Sequence, residues 1–501
     1  MRQDFVLLFI IAPLFLAVGT ALLGRTVKQL GFMLSCACGL ILCFCSFMVF
    51  GLLQKTPAHI FIYKVGGHLP PFGIALVFDG LSSFMLILVN FISLLVALYS
   101  FRYMDRYTDK WKFYCLFMFM LAGMNGLIIS GDLFTLYVFL EVASVAGYAL
   151  VAFGTEAEDL EAAFKYAVMG VVASIFILLG IALLYSYTST LNMADMAFVL
   201  ATKPQGALVA FVSVLFLAGF GLKSAMVPFH AWLPDAHPSA PAPISALLSG
   251  VFIKTLGVYA LARVFFNVLG VSQKALFIMM FLGTVSMVVG AVLAISQRDI
   301  KRMLAYSSIS QVGYIIFALG LGTPLGILGA LFHLFNHAIS KTMLFLNSGA
   351  IEYSTDTRNM EKLGGLNSRL PVTGSTSFIG GLSISGVPPL GGFWSKLIII
   401  LAAVQAGHFI FALIAVLVSI VTLGYYLKFQ RFVFLGKLNL GLSKIRGIPL
   451  SMTIPVVILA AISIVSVLLL MPFAGHFLDS ACNALIAGNL YKDSFWSAII
   501  W

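Results

Sequence analysis

The sequence predicts an all-α integral membrane protein of about fourteen transmembrane helices, and three observations predict it. Apolar stretches close to the roughly 20 residues that span a bilayer recur from end to end. Of the 501 residues, 61% are hydrophobic and 9% charged, against about 45–50% and about 25% in soluble domains. The Lys and Arg residues fall mostly in short segments between the apolar runs, the pattern of loops oriented by the positive-inside rule. Lipid is therefore the solvent for most of the surface, and the chain reads as one membrane body.

The spans follow in order. Seven are expected at residues 5–23, 30–53, 74–99, 113–130, 133–153, 164–187 and 208–229. Seven more are expected at 244–265, 276–295, 303–321, 325–351, 376–404, 409–435 and 451–471. The first run resembles a signal peptide, but Arg25 and Lys28 follow it rather than precede it, which marks a retained span. The stretch from Pro57 to Gly73 is too polar to span and reads as a surface hairpin. Beyond Pro472 the tail carries an apolar run at 474–486 and ends in Trp496 and Trp501, residues suited to a membrane interface.

Loop charge sets the orientation. Odd-numbered loops carry eighteen Lys and Arg, from Arg25, Lys28, Arg102, Arg106, Lys110 and Lys112 through Lys301 to Lys444 and Arg446. The other side carries seven: Arg2, Lys55, Lys64, Lys203, Arg263, Lys274 and Lys492. The richer side is expected in the cytoplasm, with both termini outside the cell membrane. This distribution also explains the net charge of +11 without any nucleic-acid partner.

Four of the 29 Lys and Arg fit neither side. Lys223, Lys254, Lys341 and Lys396 fall inside spans, and Glu141 alone among the acids sits near mid-span, with Asp79 and Asp132 at span starts. A charge at mid-bilayer costs about 2.5–3.5 kcal/mol, so five cost on the order of 12–18 kcal/mol before pairing. Helix-gluing ion pairs do not explain the set, because one acid cannot balance four lysines on four helices. Buried lysines that sit near neutrality accept and release protons, so the set points to proton transfer.

Span eleven adds a polar stripe. His333, His337 and Lys341 recur every fourth residue and share one helix face over about 12 Å. His-x-x-x-His can bind zinc, but the following lysine and the lack of a nearby acid favour a hydrated proton relay, with Asn336 and Ser340 beside it. The cysteines Cys36, Cys38, Cys43 and Cys45 lie in an apolar run and read as packing residues. No metal and no cofactor are expected.

Two spans are broken beside their lysines. Lys223 precedes Pro228 in a proline-rich run, and Lys396 follows Pro388-Pro389-Leu-Gly-Gly392. Broken helices line polar cavities, and one in each half suggests an internal repeat around paired sites. The expected organisation is a three-helix segment at 1–110, five-helix units at 111–272 and 273–435, and a final helix and tail at 436–501. Five spans per unit would invert one unit relative to the other. Spacing alone carries this repeat, since no convincing run of identical residues joins the two.

These residues resemble the antiporter-like subunits shared by Mrp-type cation/proton antiporters, respiratory complex I and membrane-bound hydrogenases. The resemblance runs over about residues 75–435. It is carried by Ser130-Gly-Asp-Leu-Phe-Thr-Leu-Tyr-Val-Phe-Leu-Glu141, by Gly221-Leu-Lys223-Ser-Ala-Met-Val-Pro-Phe-His-Ala-Trp-Leu-Pro-Asp-Ala-His-Pro238 and by His333-Leu-Phe-Asn-His337-Ala-Ile-Ser-Lys341. It implies two inverted five-helix proton half-channels. Glu141 would pair with Lys223, Lys254 would bridge the units, His333, His337 and Lys341 would form the central relay, and Lys396 would be the exit lysine. Lys396 argues against the complex I branch that carries glutamate there, and Leu191-Asn-Met-Ala-Asp195 with the overall length is most similar to the D-type member of Mrp antiporters. The implied partners are other membrane subunits, H⁺ and, as a candidate co-ion, Na⁺. A stand-alone solute carrier, a redox enzyme binding quinone or a cluster, and a scaffold are the rival classes. The lysine chain, the lack of nucleotide or cluster motifs, and the buried charges count against them in turn.

Overall fold

Side-chain caps set where many of the helices begin. In a computed structural model, residues 3–488 are described except 28, 57–58, 69–72, 204–205, 438, 440–441 and 443–444. Arg2, Lys28, Pro57, Lys444, Lys492, Trp496 and Trp501 lie outside the described residues. The chain opens with α1 (Leu8–Leu23) and α2 (Leu30–Lys55), then a hairpin of β1 (Phe61–Lys64) and β2 (Ala75–Phe78). The strands pair antiparallel with Phe61 opposite Phe78, so the polar stretch before span three is a hairpin. It takes residues 75–78 from the expected span, and α3 (Gly80–Tyr103) starts at Asp79 in a reciprocal capping box with Ser82.

Next come α4 (Lys110–Ile129), α5 (Leu133–Val151), α6 (Ala157–Thr188) and the short α7 (Met193–Thr202). Asp132 caps α5 by accepting from Thr135 N at 2.7 Å, and Asn192 caps α7. α7 was not expected from the sequence. Span seven is broken into α8 (Ala207–Lys223) and α9 (Leu233–Ser239), and span eight is the continuous α10 (Ala242–Leu269), which contains π-helical turns. The second half holds α11 (Gln273–Ser296), α12 (Ile300–Gly320) and α13 (Pro324–Thr355). Span twelve is again broken, into α14 (Pro371–Ser385) and α15 (Gly391–Gln405). α16 (Phe409–Val433), α17 (Leu450–Val465) and α18 (Pro472–Ile486) complete the described chain.

Among the described residues, eleven helices are long and apolar enough to cross a membrane. α13, which carries the polar stripe, and the short helices α8, α9, α14 and α15 fall outside that count. α10 and α12 lie almost wholly inside the bundle, whereas α1, α2, α6, α16 and α17 have only 28–39% of their span residues buried. α11 and α12 press together through Gly283, Gly290, Gly313 and Gly320, where an added Cβ would fall within 2.4–2.6 Å of the facing backbone. Small residues bring membrane helices this close where dispersion, rather than water, drives packing.

The two halves share a local clasp. Asp132 bridges to Asn192 and Asp299 to Asn359, both members shifted by the same 167 residues. Leu133 N and Met193 N bond Leu191 O and Gly131 O, both at 3.0 Å. Ile300 N and Met360 N bond Arg358 O and Arg298 O at 3.1 and 2.9 Å. Each clasp closes a 32-residue helix, α6 or α13. Thr188-Ser-Thr190-Leu-Asn192-Met193 and Thr355-Asp-Thr357-Arg-Asn359-Met360 share Thr, Thr, Asn and Met in register. The two loops thus share four of six residues in register.

Two basic residues counted as loop charges are core residues instead. Arg263 is 4% exposed on α10 and makes a two-pronged ion pair with Asp79 at 2.6 and 2.8 Å. Lys301 is 1% exposed at the start of α12, 3.4 Å from Glu352 and 3.0 Å from Ala240 O. Both lie within a turn or two of a helix end, where a count based on hydropathy assigns them to the loop. The Asp79–Arg263 pair ties the start of α3 to α10, and Tyr259 of α10 reaches Ile128 O at 2.5 Å.

Candidate functional site

Lys223 ends α8, where the chain leaves its helix toward Pro228. The break frees backbone groups, and side chains take them up: Trp232 Nε1 donates to Leu222 O at 3.1 Å, and Val227 N donates to Ser286 Oγ at 3.0 Å. The indole of Trp232 stacks on Tyr166 at 4.2 Å. Gly257 of α10 lets that helix lie directly on the break, since a Cβ there would fall 2.4 Å from Ser224.

Lys223 Nζ lies 3.6 Å from Glu141 Oε1 and donates to Ser144 Oγ at 2.9 Å and Tyr148 OH at 3.4 Å. Its partner is less enclosed: Glu141 keeps 28% of its side chain exposed, whereas Lys223 keeps 3%. Glu141 also accepts a hydrogen bond from Ser174 on α6. The expected pair is therefore in contact. The glutamate opens toward the lateral face of the bundle, which a mid-span position alone does not reveal.

Lys254 is fully buried on α10 at the start of a π-helical turn and donates to Ser249 O. Ser249 meets Ser308 of α12 at 2.7 Å. No carboxylate pairs with Lys254 among the described residues. π-turns recur at functional sites because they displace a side chain from the helical register.

The stripe on α13 faces inward as expected. His333 bonds Ser395 at 2.9 Å and Gln311 at 3.2 Å, and its ring stacks toward His337 with centroids 6.3 Å apart. Neither ring nitrogen of the fully buried His337 meets a protein partner among the described residues. Lys341 donates to Leu304 O at 2.9 Å and Tyr426 OH at 3.1 Å. Tyr426 and Tyr425 both reach Ser307, at 3.1 and 2.8 Å. Nearby, Asn336 accepts from Ser466 at 2.7 Å, and Ser340 donates to Ser383 at 3.1 Å.

Lys396 sits one turn into α15, after the break at Pro388 and Pro389. It donates to Ser419 at 3.0 Å and lies 4.5 Å from the centre of the Tyr314 ring, which is 5.6 Å from His333. Gly392 closes this bend, since a Cβ there would overlap Ser383 O at 1.8 Å.

These groups fall into two sets. Among the described charged groups, Lys223 interacts chiefly with Glu141. His337 is within reach of Lys254, Lys341, His333 and Lys396, with Lys254 the strongest. No direct contact joins Lys223 to Lys254 among the described residues. Unpaired buried lysines and histidines separated by hydroxyl groups can pass protons along water and hydroxyl chains, and they offer no closed ligand set. Among the described residues no group of three or more His, Cys, Asp or Glu is placed to hold a metal.

The sequence reading missed several members. His237 at the end of α9 is fully buried, stacks on Phe345 at 4.5 Å, and has no protein partner on either ring nitrogen among the described residues. It lies in electrostatic reach of Lys341, Lys301 and Lys254. It lies in a Pro-rich run, where no helical periodicity marks a face. Ser174, Gln311 and Tyr426 carry no signal of their own in the sequence, because a lone polar residue in a span is usually a local helix contact.

Comparison with known proteins shows the family. A family profile described as NADH:quinone oxidoreductase/Mrp antiporter, transmembrane, matches residues 130–422, and one described as NADH-ubiquinone oxidoreductase (complex I), chain 5 N-terminus, matches residues 69–114. The N-type subunit of the NADH-quinone oxidoreductase of Desulforudis audaxviator is 37% identical over 84% of this chain and 85% of its own. The D-type subunit of the Na(+)/H(+) antiporter of Alkalihalophilus pseudofirmus is 37% identical over 75% and 77%. A chain of the Mrp complex from Dietzia superposes with a TM-score of 0.90 at 26% identity, covering 100% of both chains. A chain of the membrane-bound sulfane sulfur reductase, an archaeal respiratory complex, also gives 0.90, at 32% identity over 98% of this chain and 100% of its own. The chain is a multi-pass membrane protein, and it belongs to the antiporter-like family shared by NADH:quinone oxidoreductases and Mrp antiporters.

Proposed function

We propose that the chain is the proton-translocating D-type member of a multisubunit Mrp-type Na⁺/H⁺ antiporter. The single observation that carries this is the buried lysine–histidine line fed by the Glu141–Lys223 pair. The pair acts as a switch: Lys223 holds its proton while Glu141 is in contact and passes it toward Lys254 when the pair separates. From Lys254 the proton crosses hydroxyl groups and water to His337 and His333 and leaves by Lys396, with Lys341 charging the relay from the other side. His237 is the proton-accepting group on the face that carries Lys301 and Glu352. An opposite charge at this range is worth about 1.4–4 kcal/mol, against about 2.3 kcal/mol per charge for 100 mV of membrane potential, so the switch works at physiological driving forces.

The shared clasps support two inverted units at 111–272 and 273–435, within fourteen crossings that include the two broken ones. Loop charge supports both termini outside the cell membrane, although Arg263 and Lys301 leave that count, removing one cation from each side. A tagged chain purified in mild detergent should bring several small membrane subunits with it, and the purified complex should exchange Na⁺ for H⁺. A second reading is supported by the NADH-quinone oxidoreductase relative and the sulfane sulfur reductase chain: the same channel serves a redox-driven complex. Co-purifying iron–sulfur, flavin or nickel subunits would establish that reading instead.

A further inference from the structure

A cavity of about 500 Å³ opens beside the α1–α2 turn and the start of α4, away from the lysine line. Arg25, Arg102 and Lys110 line it together with the aromatic rings of Phe32, Phe101 and Trp111. Two glycines fix this wall. A Cβ on Gly24 would fall 2.8 Å from Trp111 Cβ, and one on Gly31 would fall 3.0 Å from Tyr114 Cβ, so the turn rests directly on the aromatic side chains.

The charges around the cavity do not cancel. Asp105 and Asp109 also line it, but both are already engaged. Lys110 and Arg102 share Asp105, the latter at 3.5 Å, and Lys112 holds Asp109 at 2.7 Å. Arg102 further packs on Phe101 and Lys112 on Trp111, at 5.2 and 5.5 Å from the ring centres. Arg25 is exposed, lies in electrostatic reach of Asp109, and makes no hydrogen bond or close ion pair among the described residues. Three lining cations against two lining carboxylates leave one positive charge at the mouth, and Lys112 takes up Asp109 from outside the lining. Apolar Leu22, Val27 and Met33 are exposed beside it, at 72%, 49% and 61%.

This is a site for an anion attached to a hydrocarbon chain. A guanidinium fork binds phosphate oxygens two at a time. Trp and Tyr settle at headgroup depth, and basic pockets between helices on the cytoplasmic side hold anionic lipid headgroups. We propose that the cavity binds the headgroup of an anionic phospholipid, its phosphate on Arg25 and Arg102 and its acyl chains along the exposed faces of α1 and α2. The site stands independently of the proton path, and only the identity of the leaflet follows from the orientation proposed above.

The test uses the intact complex in vesicles of three parts phosphatidylcholine to one part phosphatidylglycerol, with a photoactivatable phosphatidylglycerol as probe. Adducts should map by mass spectrometry to residues 29–33 or 111–114, and a photoactivatable phosphatidylcholine should label there much less. Arg25→Gln with Arg102→Gln should lower the phosphatidylglycerol adduct about tenfold or more, and millimolar inorganic phosphate should leave it unchanged. Equal labelling by both lipids, adducts only elsewhere on the wild-type complex, or an undiminished adduct in the variant would overturn the proposal. Displacement by inorganic phosphate would also overturn it, in favour of a free-phosphate site. The wild-type mapping decides the question even if the double variant fails to assemble.

Discussion

Replacing Glu141 with Gln removes one charge and keeps the shape and the hydrogen bond from Ser174. At 3.6 Å and an effective dielectric constant near 20, the attraction lost is about 4.6 kcal/mol. Glu141 keeps 28% of its side chain exposed, so solvent screening brings the figure down to about 1–3 kcal/mol. If that attraction loads and releases the proton on Lys223, transport should fall by about five- to 150-fold. Lys223→Met should do the same by removing the other charge. The double variant should lose little beyond either single one, because the two residues act as a unit. The assay is quenching of a pH-sensitive dye in everted vesicles on addition of Na⁺, normalised to the amount of assembled complex. E141Q retaining more than half of wild-type transport at normal assembly would refute the switch.

Other consequences concern the rest of the bundle. Asp79→Asn and Arg263→Met each strand a buried charge or its partner, so each should destabilise the chain by about 3–5 kcal/mol, read as a lower melting temperature of the purified complex. Asp79→Leu combined with Arg263→Met should recover most of that loss, since an apolar pair leaves no unpaired charge; a double variant as unstable as the singles would contradict the assignment. Gly392→Ala should abolish assembly, because its Cβ would overlap Ser383 O, whereas Gly51→Ala, with open space around it, should assemble normally. His337→Gln should lower transport far more than thermal stability, because the ring has no protein partner to lose among the described residues; equal losses in both would mark it as a packing residue.

Much of the site was legible because membrane insertion makes charge expensive. Lys223, Lys254, Lys341 and Lys396 stand out once loop cations are removed, and the four-residue spacing from His333 to Lys341 fixes a face without any structure. Prolines 228, 388 and 389 marked the breaks, since a residue without N–H cannot continue the ladder. Arg263 and Lys301 were misread for the opposite reason. Near a helix end, hydropathy does not distinguish a side chain that reaches the interface from one that turns inward to a carboxylate. Glu141's partial exposure depends on how α5 packs laterally, which no local pattern encodes. The likeness of the two loops was hidden by register. The clasps are offset by 167 residues, Asp132 to Asp299 and Asn192 to Asn359, but Lys223 and Lys396 are 173 apart, so spacing alone blurs the match.

The most direct measurement is proton movement through the purified complex in proteoliposomes carrying an internal pH indicator, comparing wild type with Lys254→Met. Lys254 is fully buried and lies in electrostatic reach of both His337 and Lys341, and methionine keeps its bulk while removing its proton. A Na⁺ pulse should shift the internal pH with wild-type complex and leave it flat with K254M, both complexes holding the same subunits. A K254M complex that moves protons at the wild-type rate would contradict a path along the buried lysines.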